Sequence, residues 1–375
     1  MLERHRFSLL LSGGGARAAY QVGVLRAITR LLPRNHSLPF PILCGTSAGA
    51  INATALACFA SCYHLGVRKL EWVWKNFRTQ QVYESEFYPL FSYLLRNQLQ
   101  NLMSEQIARR PASLLDNQPL RGLLRQALNF NRIDRNIITG HLKAISVTAS
   151  SYSTNNSISF FQGDDQLADW ERAKRRGVRS SLNVEHLMAS AAIPLVFPTV
   201  KLADEYFGDG SIHQLSPLST PIHLGAEKIL IIGVEQPRPD RKHLLSHYPN
   251  NAVVAGHLLD TIFADTLHSD LERLHRINHT LSLLSDKQRQ ATHLKPVECL
   301  ALNPAFNVNE IAARHYHHLP WGIRSLMKLL GVRPDSESSL LSYLLFDGRF
   351  CQHLMDLGYQ DGLNRLDEIR AFLEI

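Results

Sequence analysis

Acidic residues are missing where one would be needed: between Glu3 and Glu71 there is no Asp or Glu. That stretch holds a glycine loop, Gly13-Gly14-Gly15, in which Gly13, Gly15 and Ala18 match the spacing of a dinucleotide-binding turn. Such a turn needs an acidic residue about 20 positions further on to hold the ribose. The absence excludes it. No Gly-Lys-Ser/Thr follows either, which excludes a Walker-type phosphate loop. Cysteine is scarce. Cys44, Cys58, Cys62, Cys299 and Cys351 form no Cys-x-x-Cys and no paired spacing, so they read as reduced thiols in a cytosolic-type compartment. Cys58 and Cys62 can share one helix face, but nothing nearby completes a metal site.

Charge is also absent from Asn35 to Val67. The stretch is long enough for a membrane span of about 20 residues. Pro39, Pro41, Ser47, Asn52, Ser61 and His64 interrupt it, and a buried strand–turn–helix fits better. The apolar run Phe7–Leu11 is shorter than the roughly 7–15 residues of a secretory signal. The expectation is a cytoplasmic protein, soluble or peripherally bound, with no signal peptide and no transmembrane helix. Internal repeats, low-complexity tracts and Pro/Gly/Ser linkers are missing too. One α/β domain with helical decoration is the simplest organisation for 375 residues that are 45% hydrophobic.

What is present is a sequence of short buried strands and helical periods. "RFSLLL" and "FPILCG" read as strands. "ARAAYQVGVLRAITRLL" between them has apolar residues at helical spacing, and "SAGAINATALACFA" after them reads as a helix packed on all sides. Strand–helix–strand–helix implies a parallel sheet. "HLKAISVTASSY" and "NSISFFQG" suggest a hairpin. "EHLMASAAIPLVFPTV" suggests a short helix, then extended chain. "EYFGDGS", "AEKILIIGVEQ" and "VECLALNP" suggest further strands. Residues 251–284 read as one long helix with Val254, Leu258, Ile262, Leu267, Leu271 and Leu274 inward. The tail from Ser336 is helical.

Ser47 lies in "GTSAGA", a Gly-x-Ser-x-Gly between a strand and a helix. Such a turn exposes a serine oxygen at a helix N-terminus, where free N–H groups favour developing negative charge. The plainer reading is a small-residue turn, and the strand–turn–helix context favours the nucleophile. Gly13, Gly14 and Gly15 supply backbone N–H groups with no side chains in the way, as an oxyanion hole requires. Arg17 can bind a phosphate or steady the loop by a salt bridge, and the sequence leaves both open. A serine also needs a base. A Ser-His-Asp arrangement is open to a chain with 18 histidines, although Ser47 comes early for an ordinary α/β-hydrolase. The alternative is a lone carboxylate, and "FGDGSIHQLSP" offers Asp209.

The order "LSGGGARAAYQVGVLRAI", "GTSAGAINA", "ASAAIPLVFPTV", "GDGSIHQLSPLSTPIHLGAEKILIIGV" resembles the patatin-like phospholipases. The helical stretch Ser339 to Gly362 looks like the tail of bacterial members. The resemblance runs from about Phe7 to Gly362 and is weakest over 79–117 and 251–319. It implies a three-layer α/β fold with a mostly parallel central sheet flanked by helices and extra C-terminal helices. Residues 1–240 would be the catalytic core, and 241–375 a helical extension packed on it in the same domain. It further implies a lipid acyl hydrolase of phospholipase A or lysophospholipase type, with Ser47 as nucleophile, Asp209 as base, Gly13–Gly15 as oxyanion loop, an acyl-enzyme, and no metal or cofactor. The family usually has Asp-Gly-Gly or Asp-Gly-Ala where this chain has Asp209-Gly210-Ser211, and the small serine should preserve the turn. The rival readings are a non-catalytic lipid-binding or scaffold protein on the same fold and a Ser-His-Asp esterase.

The formal net charge of +7 suits an anionic surface or simple solubility. "ERAKRRGVR" (171–179) comes with no nucleic-acid motif, so no nucleic-acid partner is expected; a solvated or lipid-facing patch is. Leu319 to Arg333 reads as a basic amphipathic helix with Ile323, Leu326 and Leu330 on one face. It can lie on a membrane or pack that face on the core. Phe87, Tyr88, Phe91 and Tyr93 can line an acyl channel, form a lid or pack in the core. "HYHH" (315–318) lacks spaced acidic partners for a metal.

Overall fold

Phe7–Leu11 forms β1 with every residue buried. Its alternation assigns its side chains to two cores. Leu9 and Leu11 join one cluster with Leu43, Val147 and Ile232. Leu10 joins the other with Ile42, Cys44, Phe161 and Ile231. Strand side chains alternate between faces, so a strand apolar at consecutive positions is covered on both sides.

The computed structural model describes residues 6–85, 92, 113–237, 248, 250–263, 265–292, 294–334 and 336–375. After β1 come α1 (Ala19–Ile28), β2 (Ile42–Thr46), α2 (Ala48–Cys58), α3 (Tyr63–Lys75) and α4 (Gln118–Ala127). Then follow β3 (Ala144–Ser151), β4 (Ser157–Gly163), β5 (Trp170–Arg172), β6 (Arg175–Arg179), α5 (Val184–Ser190), β7 (Val200–Leu202), β8 (Glu205–Asp209) and β9 (Lys228–Ile232). The last third contributes α6 (Asn251–Phe263), α7 (Asp265–Leu283), β10 (Glu298–Leu302), α8 (Val308–Arg314), α9 (Trp321–Leu330), α10 (Ser339–Leu344) and α11 (Gly348–Asn364).

The sheet order is β10-β9-β1-β2-β3-β4-β6-β5, with β8 on the far end of β3 and β7 beside it. β10 through β3 run parallel. β3 and β4 form the expected antiparallel hairpin. The mixed α/β architecture with helices over a central sheet is therefore the one the resemblance implied. β2 ends at Thr46 and α2 begins at Ala48, so Ser47 is the whole connection.

One local reading changes and two gain detail. The basic run 171–179 makes the β5–β6 hairpin, with Lys174 at φ 63° in its turn. The helix expected over 251–284 is two helices, α6 and α7. In α6 the inward face is Ala252, Gly256, Leu259 and Phe263, leaving Val254 and Leu258 exposed. Small residues face inward because α6 lies close on α10, where a Cβ on Gly256 would come within 3.2 Å of the Ser339 Cβ. In α9, Ile323, Leu326 and Met327 are buried on the core, so the apolar face that suggested membrane binding is used internally. Trp321 and Leu329 stay exposed. Phe87, Tyr88, Phe91 and Tyr93 lie outside the described residues. Among the described residues no helix is long and apolar enough to cross a membrane. All five cysteines are unpaired.

Candidate active site

Ser47 has φ 54° and ψ −129°, a conformation that costs a non-glycine residue roughly 1–3 kcal/mol and persists only where its surroundings impose it. The surroundings are identifiable. The Ser47 N–H donates to Ser190 Oγ at 2.8 Å, and that hydroxyl donates to the Thr148 carbonyl at 2.6 Å. On the other side, a Cβ on Gly49 would lie 2.3 Å from the Leu11 carbonyl oxygen. The glycine of the motif is what lets α2 close down on the end of β1.

Asp209 ends β8 and is fully buried. Its position is set by its own N–H, which donates to the Ala192 carbonyl at 2.8 Å. Oδ1 accepts from the Ser211 N–H at 3.0 Å. Oδ2 is buried and makes no hydrogen bond of ordinary length and angle, yet the Ser47 hydroxyl is near enough to stabilise the carboxylate. Burial pushes the Asp209 carboxyl up from 3.8 to about 6, and Ser47 together with the Ser211 N–H and hydroxyl pulls it partly back. The Asp-Gly-Ser departure therefore keeps the turn and adds a hydroxyl beside the carboxylate.

The glycine loop lies between β1 and α1. Gly15 has φ 54°, and a Cβ there would meet the Tyr343 carbonyl oxygen at 2.3 Å. Among the described residues, no hydrogen bond takes up the N–H of Gly13, Gly14 or Gly15. Of the two readings open for Arg17, the structure favours the salt bridge that steadies the loop over the phosphate contact. Arg17 is 2% exposed and is held by Ser342, Asp260, Tyr343 and Asn309 at 2.9–3.2 Å. Its guanidinium lies 3.8 Å from the Tyr343 ring centre. The side chain clamps the loop to α6, α8 and α10 and is not free to touch a substrate phosphate.

An apolar cavity of about 310 Å³ reaches Ser47 and Gly15. Ile51 and Ala55 of α2, Val73 of α3, Leu124 of α4 and Phe197 line it, and it extends to the exposed side chains of Lys69, Trp72 and Gln126. Sequence reasoning missed α3 and α4 as its walls, because their lining residues follow an ordinary amphipathic period. It missed Ser190 as well: a serine in a small-residue motif carries no sign of the bond it makes. Burial pushes the thiols of Cys44, Cys58, Cys299 and Cys351 up, away from nucleophilic character.

The His315–His318 stretch does gain an acidic neighbour, contrary to expectation. His315, His318 and Asp347 bring ligand atoms within 4.8 Å of one another, and among the described residues they are the group able to hold an ion. His318 Nε2 lies 3.2 Å from the Arg349 guanidinium, and its Nδ1 lies 3.3 Å from Asp347 Oδ1. The rings thus form a hydrogen-bonded chain at the start of α11, whose first N–H groups Asp347 caps.

Residues 9–222 match the model of the family described as patatin-like phospholipase. The match covers more than half of the chain, and the protein belongs to that family. Among solved structures, the chain is similar to VipD from Legionella pneumophila at 12% identity and TM-score 0.34, covering 97% of this chain and 67% of that one. It is also similar to the type III effector ExoU at 13% identity and TM-score 0.35, covering 96% of this chain and 52% of ExoU. A third likeness is to ExoU with SpcU from Pseudomonas aeruginosa, at 14% identity and TM-score 0.29, covering 97% of this chain and 79% of that one. The chain thus spans about two thirds of the VipD chain and half of the ExoU chain. No curated protein matches it. The family assignment rests on the family match.

Proposed function

We propose that the protein is a lipid acyl hydrolase of phospholipase A or lysophospholipase type that works through Ser47 and Asp209. The observation that carries this reading is the convergence at Ser47. A strained serine at a helix N-terminus, a buried carboxylate 162 positions away in sequence and an apolar cavity meet at one point. Among the described residues no histidine hydrogen-bonds to Ser47, which favours the dyad over a Ser-His-Asp arrangement.

In the first step Asp209 accepts the Ser47 proton while Oγ attacks the ester carbonyl, with the acyl chain in the cavity. The oxyanion is held by N–H groups of Gly13, Gly14 and Gly15. The tetrahedral intermediate collapses, Asp209 returns the proton to the departing alcohol oxygen, and the acyl group stays on Ser47. Water then attacks the acyl-enzyme, losing its proton to Asp209, which passes it to the departing Ser47 Oγ as the fatty acid is released, so both residues return to their starting states. A carboxyl near 6 is ionised at neutral pH yet basic enough to take a proton. Contact with the bilayer is peripheral, with Trp321 and Leu329 as the apolar groups α9 leaves outside.

The test is intact-mass labelling with a fluorophosphonate probe, with and without liposomes, beside Ser47→Ala. One adduct that vanishes in the variant supports the reading. No adduct under either condition overturns it in favour of a lipid-binding protein, and an adduct that survives the substitution moves the nucleophile elsewhere.

A further inference from the structure

The basic hairpin β5–β6 folds over a second cavity, of about 250 Å³, just under the ~300–1,000 Å³ usual for ligand pockets. Lys174, Arg175 and Arg176 from the hairpin, Arg273 from α7 and His213 from the loop after Asp209 line it, and no Asp or Glu does. Two of the cations are braced from behind. Arg175 Nε donates to Ser219 Oγ at 2.8 Å, and Arg273 donates to Ser216 Oγ at 3.0 Å. The nearby acids are outside the lining: Asp270 lies 3.4 Å from Arg273 and Glu171 4.0 Å from Arg176. Four cations against these two acids leave the pocket net positive.

The pocket shares its wall with the active site. Gln214, which lines it, accepts from Thr46 Oγ1 at 2.7 Å, one residue before Ser47. The His213 N–H donates to Ser150 Oγ, which donates to the Gly210 carbonyl, each at 3.1 Å.

From the cavity and the four cations that line it, two of them braced in place, we infer that this pocket binds a phosphate-bearing group. Guanidinium forks match phosphate oxygens, and the braced arginines need little reordering to do so. Only the identification of the phosphate as a lipid head group rests on the hydrolase reading; the anion site itself does not.

The test uses the full chain carrying Ser47→Ala, so that binding is read without turnover. Trp170 lines the pocket and stacks on His223, and its fluorescence is the reporter. Inorganic phosphate and inositol phosphates are titrated, beside a Lys174→Gln/Arg176→Gln variant, which leaves the two braced arginines in place. Co-sedimentation with phosphatidylcholine vesicles, with and without phosphatidate, is run in parallel. Saturable binding that weakens at least tenfold in the variant is expected. If the phosphatidate-dependent sedimentation falls with it, the ligand is a head group. If only the soluble phosphates respond, the site takes a free phosphate compound. Absence of saturable binding, or equal affinity in a variant whose thermal melt matches the parent, overturns the proposal. Because fluorophosphonate labelling is independent of these readouts, a failure here is distinguishable from a failure of the hydrolase reading.

Discussion

The Ser190 hydroxyl bridges the Ser47 N–H, at 2.8 Å, and the Thr148 carbonyl, at 2.6 Å. It thereby ties the Ser47 turn to the central sheet. Ser190→Ala takes away the acceptor of the buried Ser47 N–H, at a cost of about 1–3 kcal/mol, and loosens the elbow. The expected result is a kcat lower by about 10- to 100-fold with KM nearly unchanged and slower fluorophosphonate labelling. Steady-state kinetics on a short-chain ester would check it, and an unaltered kcat would contradict the positioning role.

The proposed role of Asp209 predicts that activity and stability respond oppositely to pH. A base must be ionised, so on that proposal the rate should rise through pH about 6 and then level off. Between the unfolded value of 3.8 and about 6, the folded chain holds this proton and the unfolded chain has lost it. The contribution of Asp209 to stability therefore falls as pH rises through that window and stays low above it. Asp209→Asn removes the cost. The variant should be inactive yet more stable than the parent at pH 8, by roughly 3 kcal/mol, with the gap closing below pH 4. Denaturant titrations at both pH values, and the pH–rate profile of the parent, measure this.

The cavity at Ser47 should set acyl-chain length. Ala55 of α2 lines it, and Ala55→Phe fills space without touching Ser47. Activity on acetyl esters should persist while kcat/KM for decanoyl esters drops by tenfold or more. An unchanged chain-length profile in a folded variant would remove the cavity from the acyl site.

Arg17 should behave as a clamp. Arg17→Met takes away the partner of Asp260, Asn309 and Ser342 in a buried network. Stability should fall by on the order of 3 kcal/mol, read as a melting temperature several degrees lower. Phosphate affinity should not change. A KM effect with an intact melt would instead return Arg17 to the substrate.

Features that depend on near neighbours can be read along the chain. The apolar run in β1 requires a strand covered on both faces, the Gly-x-Ser-x-Gly turn requires small residues on either side of Ser47, and the glycine loop leaves its N–H groups open. Backbone sterics and side-chain period act over a few residues, so these features are legible in order along the chain. The amphipathic period of α9 was legible too, but not what covers it, since core and membrane attract the same face. Which distant groups meet depends on how the folded layers pack. The tertiary structure set Asp209 beside Ser47 by hanging β8 on the end of β3, and it chose Ser190 among many small residues. It turned Arg17 inward to Asp260 and folded a run of cations over a cavity. Those outcomes depend on how layers pack across 100 or more residues, where burial and pairing of each polar group are settled together and no local pattern specifies them.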